Sequence, residues 1–430
     1  MKEFEGKRLL VLGGGYASYH IVKIAKEEGA YVIATDYLKG GQAKDIADEA
    51  IMVSTVDMES LEKVVKEKNI DGVFCGPSEF NIVNVMTLCE RTGLPFYATR
   101  EQWDICSDKE LFKKMCRENN VPCVPEYSVT EEFLEEDLAK IKYPVIVKPV
   151  DSSSSRGITI VYNREELIIA YKEALKFSNK EHVLVEKYIS NDCAFAVRYI
   201  AYNGEIHLLL TNDRYVVDPI ERKALVGYVA VYPSKLNEKY MKTIDPNVRI
   251  MFKKLGIKNG AFFMQALVDP DDGQIYFHEM GLRLSGGLTY TITESATGIN
   301  DAKMMLRYAL GMDFSSPDEI KKIDTGLCGK IAVSVCYPLK NGRISQIQGI
   351  DLCKNKLNVV DFVQYYFEGD EVTEQQIGTL DQHFCRIKLL LNDYFEIAYS
   401  VDFIMDSLKV IDENGNDMLF SRFETKRLRR

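Results

Sequence analysis

The sequence predicts a doubly wound α/β domain followed by α+β regions, and three observations predict it. Strand and helix signals alternate through residues 1–105; hairpin turns at Asn203-Gly204 and Asp272-Gly273 then join long strands; and 430 residues exceed what one compact core holds. Boundaries are expected near 105 and 325, giving units at 1–105, 106–325 and 326–430, the last a small α+β domain.

In the first unit KRLLVLG (7–13) reads as a buried strand, YHIVKIAKEEG as a helix closed by Gly29, and AYVIATD as the next strand. Strand, glycine turn, helix, strand is a βαβ unit. Its continuation through SLEKVVKEKNI, DGVFCG and IVNVMTLCERTG implies a parallel sheet with helices on both faces. The pattern changes at SDKELFKKMCRENN, a basic helix, followed by an acidic helix EEFLEEDLAKI and the strands YPVIVKPV and GITIV. After the helix REELIIAYKEALKF come HVLVEKYI, the hairpin FAVRYIAYNGEIHLLLT and the hairpin FFMQALVDPDDGQIYFHEMG. The last unit opens with the strand KIAVSVCYPL and contains a hairpin signal in SLKVIDENGNDML.

Composition excludes several classes. With 46% hydrophobic and 27% charged residues the chain is neither disordered nor fibrous. No apolar run reaches the roughly 20 residues of a membrane span, and the first residues lack a signal peptide's apolar core, so a cytoplasmic protein is expected. Ten scattered cysteines without a C-x-x-C pair read as reduced structural thiols. A net charge of −10 argues against nucleic acid and anionic membranes as partners, and the terminal KRLRR reads as a solvated tail.

The chemistry is concentrated in a few stretches. GGGYAS (13–18), with Asp36 ending the next strand, lets backbone approach an anion or a helix pack close; Ser18 occupies the third glycine position of a dinucleotide fingerprint, which favours a tight structural turn. In VKPVDSSSSRGITIV, Lys148 ends a strand, and Ser152, Ser153, Ser154, Ser155 and Gly157 offer hydroxyls and N–H groups able to wrap phosphate oxygens. Glu186 ends a later strand. Glu279, Arg283, Ser285 and Gly286 close a hairpin in HEMGLRLSGG, an arrangement suited to a metal-bound phosphate beside an anionic substrate.

These stretches in this order, SDK (107–109), VKP (147–149) with its serine loop, VEKYI (185–189) and HEMGLRLSGG (278–287), resemble the ATP-grasp superfamily along the whole chain. The order is that of its biotin carboxylase, glycinamide ribonucleotide synthetase and carbamoyl phosphate synthase-like branch. The resemblance implies a pre-ATP-grasp domain, a two-subdomain ATP-grasp fold and a C-terminal domain. It further implies that Lys109 and Lys148 contact ATP phosphates under the loop from Ser152 to Gly157. Glu186, Lys187, Tyr188 and Ile189 would line the adenine, Glu279 would bind Mg2+, and Arg283 would sit by the transferred phosphate. The implied activity is an ADP-forming ligase that joins a carboxylate to an amine through an acyl phosphate, with small-molecule partners and an open oligomeric state, a homodimer included.

Three departures bear on that expectation. Gly281 stands where the family has Asn, Gln265 stands where its second metal carboxylate is expected, and Cys193 follows Asp192 where an acid often holds ribose. A nucleotide-binding protein that has lost catalysis is therefore the alternative. Strand alternation turns His278 away from Glu279 as a packing residue, and Asp269, Asp271 and Asp272 read as a hairpin turn. Glu79 follows a strand of the first unit at the edge where α/β sheets bind ligands, a candidate substrate contact. Asp213 and Arg214 either line the cleft or pair with each other.

Overall fold

Strands β1 (Arg8–Leu12), β2 (Tyr31–Thr35), β3 (Glu49–Ile51) and β4 (Gly72–Cys75) form a parallel sheet in the order β3-β2-β1-β4. The computed structural model describes residues 2–150, 158–178, 182–190, 194–216 and 226–428. Leu9 to Leu12 are fully buried, as apolar runs sandwiched between helices must be. The glycine turn leads into the helix Tyr16–Glu27, and β4 ends so close to it that a Cβ on Gly76 would lie 1.7 Å from the carbonyl of Ala17.

A small sheet follows, with β5 (Glu126–Tyr127), β6 (Val145–Pro149), β7 (Thr159–Val161) and β8 (Val183–Lys187) in the order β5-β8-β6-β7. It has its own core, where Val145, Val147, Val161 and Val185 pack against Leu167, Ala170 and Ala174 of the helix Arg164–Leu175. The acidic helix expected over 131–141 is reduced to Glu135–Leu138. Phe133, at a φ of 48°, leaves the helical path just before it.

Eight antiparallel strands make the central sheet: β9 (Ala194–Tyr202), β10 (Glu205–Val216), β11 (Gly227–Tyr232), β12 (Gly260–Val268), β13 (Ile275–Gly281), β14 (Ile331–Pro338), β16 (Val359–Gln364) and β18 (His383–Leu391). Their order is β13-β12-β9-β10-β11-β14-β18-β16, so strands on both sides of residue 325 share one sheet. Directly opposed residues lie on one face. Glu279 opposes Gln265, Gln265 opposes Ala196, and Ala196 opposes Asn212; Arg214 opposes Ala230, which opposes Ser334; Ser334 opposes Lys388, which opposes Asp361. That face is polar. The other sends Phe195, Val197 and Tyr199 into the core shared with the first sheet.

The remaining strands β15 (Gly342–Gln348), β17 (Glu371–Val372) and β19 (Lys409–Asp412) form a sheet in the order β17-β15-β19. The Asn414-Gly415 turn folds the chain back on β19 through the antiparallel bridge Ile411 to Asp417, with the amide of Asp412 donating to Asn416 and that of Met418 to Val410, while the ladder partner of β19 is the distant β15. No helix among the described residues is long and apolar enough to cross a membrane.

Candidate active site

One wall of the site is the small sheet. Lys148 on β6 and Glu186 on β8 are diagonal neighbours on one face, and their side chains meet at 2.6 Å. A third group, unforeseen from the sequence, completes a chain of charges: Lys113 donates to Glu186 at 2.5 Å and to Glu126 at 2.6 Å, with no exposed surface of its own. It is carried by the helix Lys109–Glu118, whose N-terminus is capped by Asp108 accepting from the amides of Glu110 and Leu111. The Asp of SDK is therefore a helix cap, and it sets Lys109 as the first helical residue. Burial pushes the Glu186 carboxyl up, but Lys148 and Lys113 outweigh it and hold the pKa down to about 2. Burial drives Lys148 the opposite way to Glu186's pull, and lowers its pKa. Glu186 is thus shared between two buried ammonium groups, which leaves Lys148 underneutralised and receptive to an anion.

Lys187, next on β8, points elsewhere and pairs with Asp269 in the β12–β13 turn. The same Asp269 accepts from the amide of Asp271, which makes the aspartate cluster a turn, as its sequence suggests. Tyr188 donates its amide to Pro144, and Ile189 is buried. Ser152 to Ser155, Gly157, Asp192 and Cys193 lie outside the described residues.

The other wall is the polar face of the central sheet. Gln265 donates its amide N–H to Glu279 at 2.6 Å, and its oxygen accepts from Arg214 at 3.3 Å. Asp213 points to the opposite side and accepts from Ser234 and from the amide of Lys235. A bulge between Gln265 and Ala266 inserts His278 as an extra residue beside Glu279, so the alternation that turned it away fails. His278 lies in the field of Glu279, Lys148, Glu186 and Arg214; its Nδ1 is buried without a hydrogen-bond partner, and burial brings its pKa down to about 4. It stands between the two walls.

Beyond Glu279 the chain continues to Arg283, which reaches across to Glu79 of the first unit at 2.8 Å. Its guanidinium lies over the ring of Phe263 at 4.9 Å. That ring explains Gly281: a Cβ there would come within 2.6 Å of Phe263, so an asparagine side chain has no room. Ser285 accepts from Arg198 at 3.2 Å, the carbonyl of Gly286 accepts from Arg386 at 3.0 Å, and Arg198 also donates to Asn212 at 2.6 Å. Lys113, Arg198, Asn212, Arg386 and His278 are the residues sequence reasoning missed. A lone charge inside an apolar strand, as in FAVRYIA and HFCRIKLLL, is the signal that marks the two arginines.

The glycine turn of the first sheet is structural. Asp36 accepts from the amides of Gly14 at 3.1 Å and Leu38 at 3.0 Å, and so closes its own turn.

Residues 108–316 match the sequence family described as carbamoyl-phosphate synthase L chain, ATP binding domain. A formate-dependent phosphoribosylglycinamide formyltransferase of Sulfurisphaera tokodaii is 26% identical over 72% of this chain and 78% of its own. The 2-oxoglutarate carboxylase small subunit of Hydrogenobacter thermophilus is 28% identical over 71% of this chain and 67% of its own. Among solved structures, the L-amino acid ligase from Bacillus licheniformis superposes with a TM-score of 0.75 at 20% identity, covering 95% of this chain and 100% of that one.

Proposed function

We propose, from the match of residues 108–316 to the ATP binding domain of the carbamoyl-phosphate synthase L chain, that this protein is an ADP-forming ATP-grasp ligase that activates a carboxylate with ATP and transfers it to an amine or similar nucleophile. The observation that carries the reading is the facing of two charged walls, Lys113–Glu186–Lys148 on the small sheet and Arg214–Gln265–Glu279 on the large one, with His278 in the field of both. Lys148 and Lys109, with the loop from Ser152 to Gly157, take the phosphates of ATP, and Glu186 to Ile189 run beside the base. Arg283 meets the transferred phosphoryl group, while Glu79, Ser285 and Gly286 face the acid.

The residues present fit a magnesium ion. Glu279 supplies a carboxylate, and Mg2+ is commonly held by one or two carboxylates with phosphate and water completing its shell; Gln265 would add its amide oxygen only by turning it from Arg214 toward Glu279. When bound, such an ion polarises phosphoryl oxygens. In the first half-reaction a substrate carboxylate oxygen attacks the γ-phosphorus and ADP leaves; in the second the amine attacks the acyl carbon and phosphate leaves. Fixed lysine and arginine charges offset the charge on the transferred group, so positioning supplies most of the catalysis. The reading as a degraded nucleotide binder is not carried forward, because the curated relatives bear the names of enzymes and the packing of Phe263 accounts for Gly281. A cytoplasmic location is proposed from the scattered cysteines, and a homodimer from a solved relative described as a biotin carboxylase domain dimer.

The test is magnesium-dependent ADP release against a matrix of carboxylates and amines, with Lys148→Ala protein as the blank. One stimulating pair, silent in the variant, is the expected result. Turnover by the variant at the wild-type rate overturns the assignment.

A further inference from the structure

Past Glu279 and Arg283, the chain runs across the polar sheet face and is held there by three basic side chains in succession. Arg198 donates to the Ser285 hydroxyl, Arg386 to the carbonyl of Gly286, and Lys388 to the carbonyl of Leu288 at 2.6 Å. The three differ in one respect. Lys388 has its own acid, Asp361, at 2.8 Å, whereas neither arginine has an ion-pair partner among the described residues. Asp301 contributes to the field at Arg198 but makes no ion pair with it; burial raises that carboxyl to about 6, and its Oδ1 is buried without a hydrogen-bond partner.

Arg198 and Arg386 hold two consecutive residues of one segment, so two like charges stand close together on the sheet face, where an anion would relieve their repulsion. Both arginines are half-buried, so each keeps some exposed surface. The hydroxyl of Ser285 lies beside Arg198, whose guanidinium stands over the Tyr232 ring at 5.5 Å. The ATP phosphates have their own cations in Lys148 and Lys109 on the opposite wall. Arg283, which meets the transferred phosphoryl group, is already paired with Glu79.

We propose that Arg198 and Arg386 form a second oxyanion site, so that the acid activated by this enzyme carries a further anionic group besides the carboxylate that is phosphorylated. The inference rests on the ligase reading and narrows it to acids with two charged ends, such as a dicarboxylate or a phosphorylated acid. A planar guanidinium fork suits either oxyanion.

Binding without turnover tests this independently of catalysis. Succinate, glutarate and phosphoglycolate are compared with acetate and butyrate by isothermal titration on the full chain, using wild type, Arg198→Gln, Arg386→Gln and the exposed control Arg343→Gln. Wild type and control are expected to bind at least one doubly charged acid about tenfold or more tighter than the singly charged ones, and each of the two site variants to lose that preference. Whether the dicarboxylates or phosphoglycolate show it identifies the second group. Should a glutamine variant unfold, Arg198→Lys and Arg386→Lys keep the charge without the fork and are expected to retain part of the preference. Equal binding of both kinds of acid to wild type, or an unchanged preference in folded variants of both arginines, overturns the proposal. If the preference is present and lost as expected while no acid stimulates ADP release, the anion site stands and the ligase reading falls.

Discussion

Replacing Glu186 by Gln removes the single negative charge shared by two buried ammonium groups. The carboxyl is only 3% exposed and sits 2.5 Å from Lys113 and 2.6 Å from Lys148. Holding its pKa at about 2 instead of the ordinary 4.5 corresponds to about 3 kcal/mol of net preference for the charged form. Breaking a buried ion pair by deleting one partner costs a similar amount, roughly 3–5 kcal/mol. For a chain of this length unfolding as one unit, that is a fall in Tm of about 3–6 °C, measured by calorimetry at pH 7. The pH dependence is fixed in sign: because the folded pKa lies below the unfolded one, the contribution is complete above about 4.5 and disappears as pH falls toward 2, so wild type and variant converge in acid. Lys113→Met in the Glu186→Gln background removes one stranded cation and is expected to recover about half of the loss. A Glu186→Gln protein that unfolds with wild type at pH 7, or a double variant whose losses simply add, would refute the shared-charge account.

Three further expectations follow from the site and its surroundings. Glu279→Gln leaves the hydrogen-bonded pair with Gln265 but no carboxylate, and is expected to raise the magnesium concentration for half-maximal ADP release by about tenfold or more; an unchanged titration would place the ion elsewhere. Gly281→Asn drives a Cβ to 2.6 Å from the Phe263 ring and is expected to cost about 1–3 kcal/mol in denaturant unfolding, with recovery in the Phe263→Ala background; a neutral Gly281→Asn would mean that the ring is free to move. Burial holds the His383 imidazole at about 3, with Gly227 as its hydrogen-bond partner, so stability present above pH 6.5 is lost as pH falls through that window. His383→Gln should flatten the acid limb of the stability curve, and an unaltered limb would exclude this histidine as its source.

The features that were legible in the sequence are those governed by residues close to one another along the chain. Alternating strand and helix signals carry the first sheet, and Asn203-Gly204, at φ of 51° and 83°, closes the β9–β10 hairpin where it was expected. Asp269 and Lys187 show the limit of such reading: the turn is local and correctly read, while its tie to the small sheet joins residues 82 apart. The charged walls depend on which face each strand presents, and that depends on bulges. Shifts at Leu209 and, opposite Gln265 and Ala266, at His278 reset the two-residue period within β10 and β13, which is why Arg214 reaches Gln265 and why His278 stands beside Glu279. A bulge has no composition of its own, so alternation carried through it assigns the wrong face with no internal warning. A lone arginine in an apolar strand does carry a warning. The cost of desolvating it forbids a purely packing role whichever face it takes, so the charge of Arg198 or Arg386 marks a position with polar partners even where register is unknown.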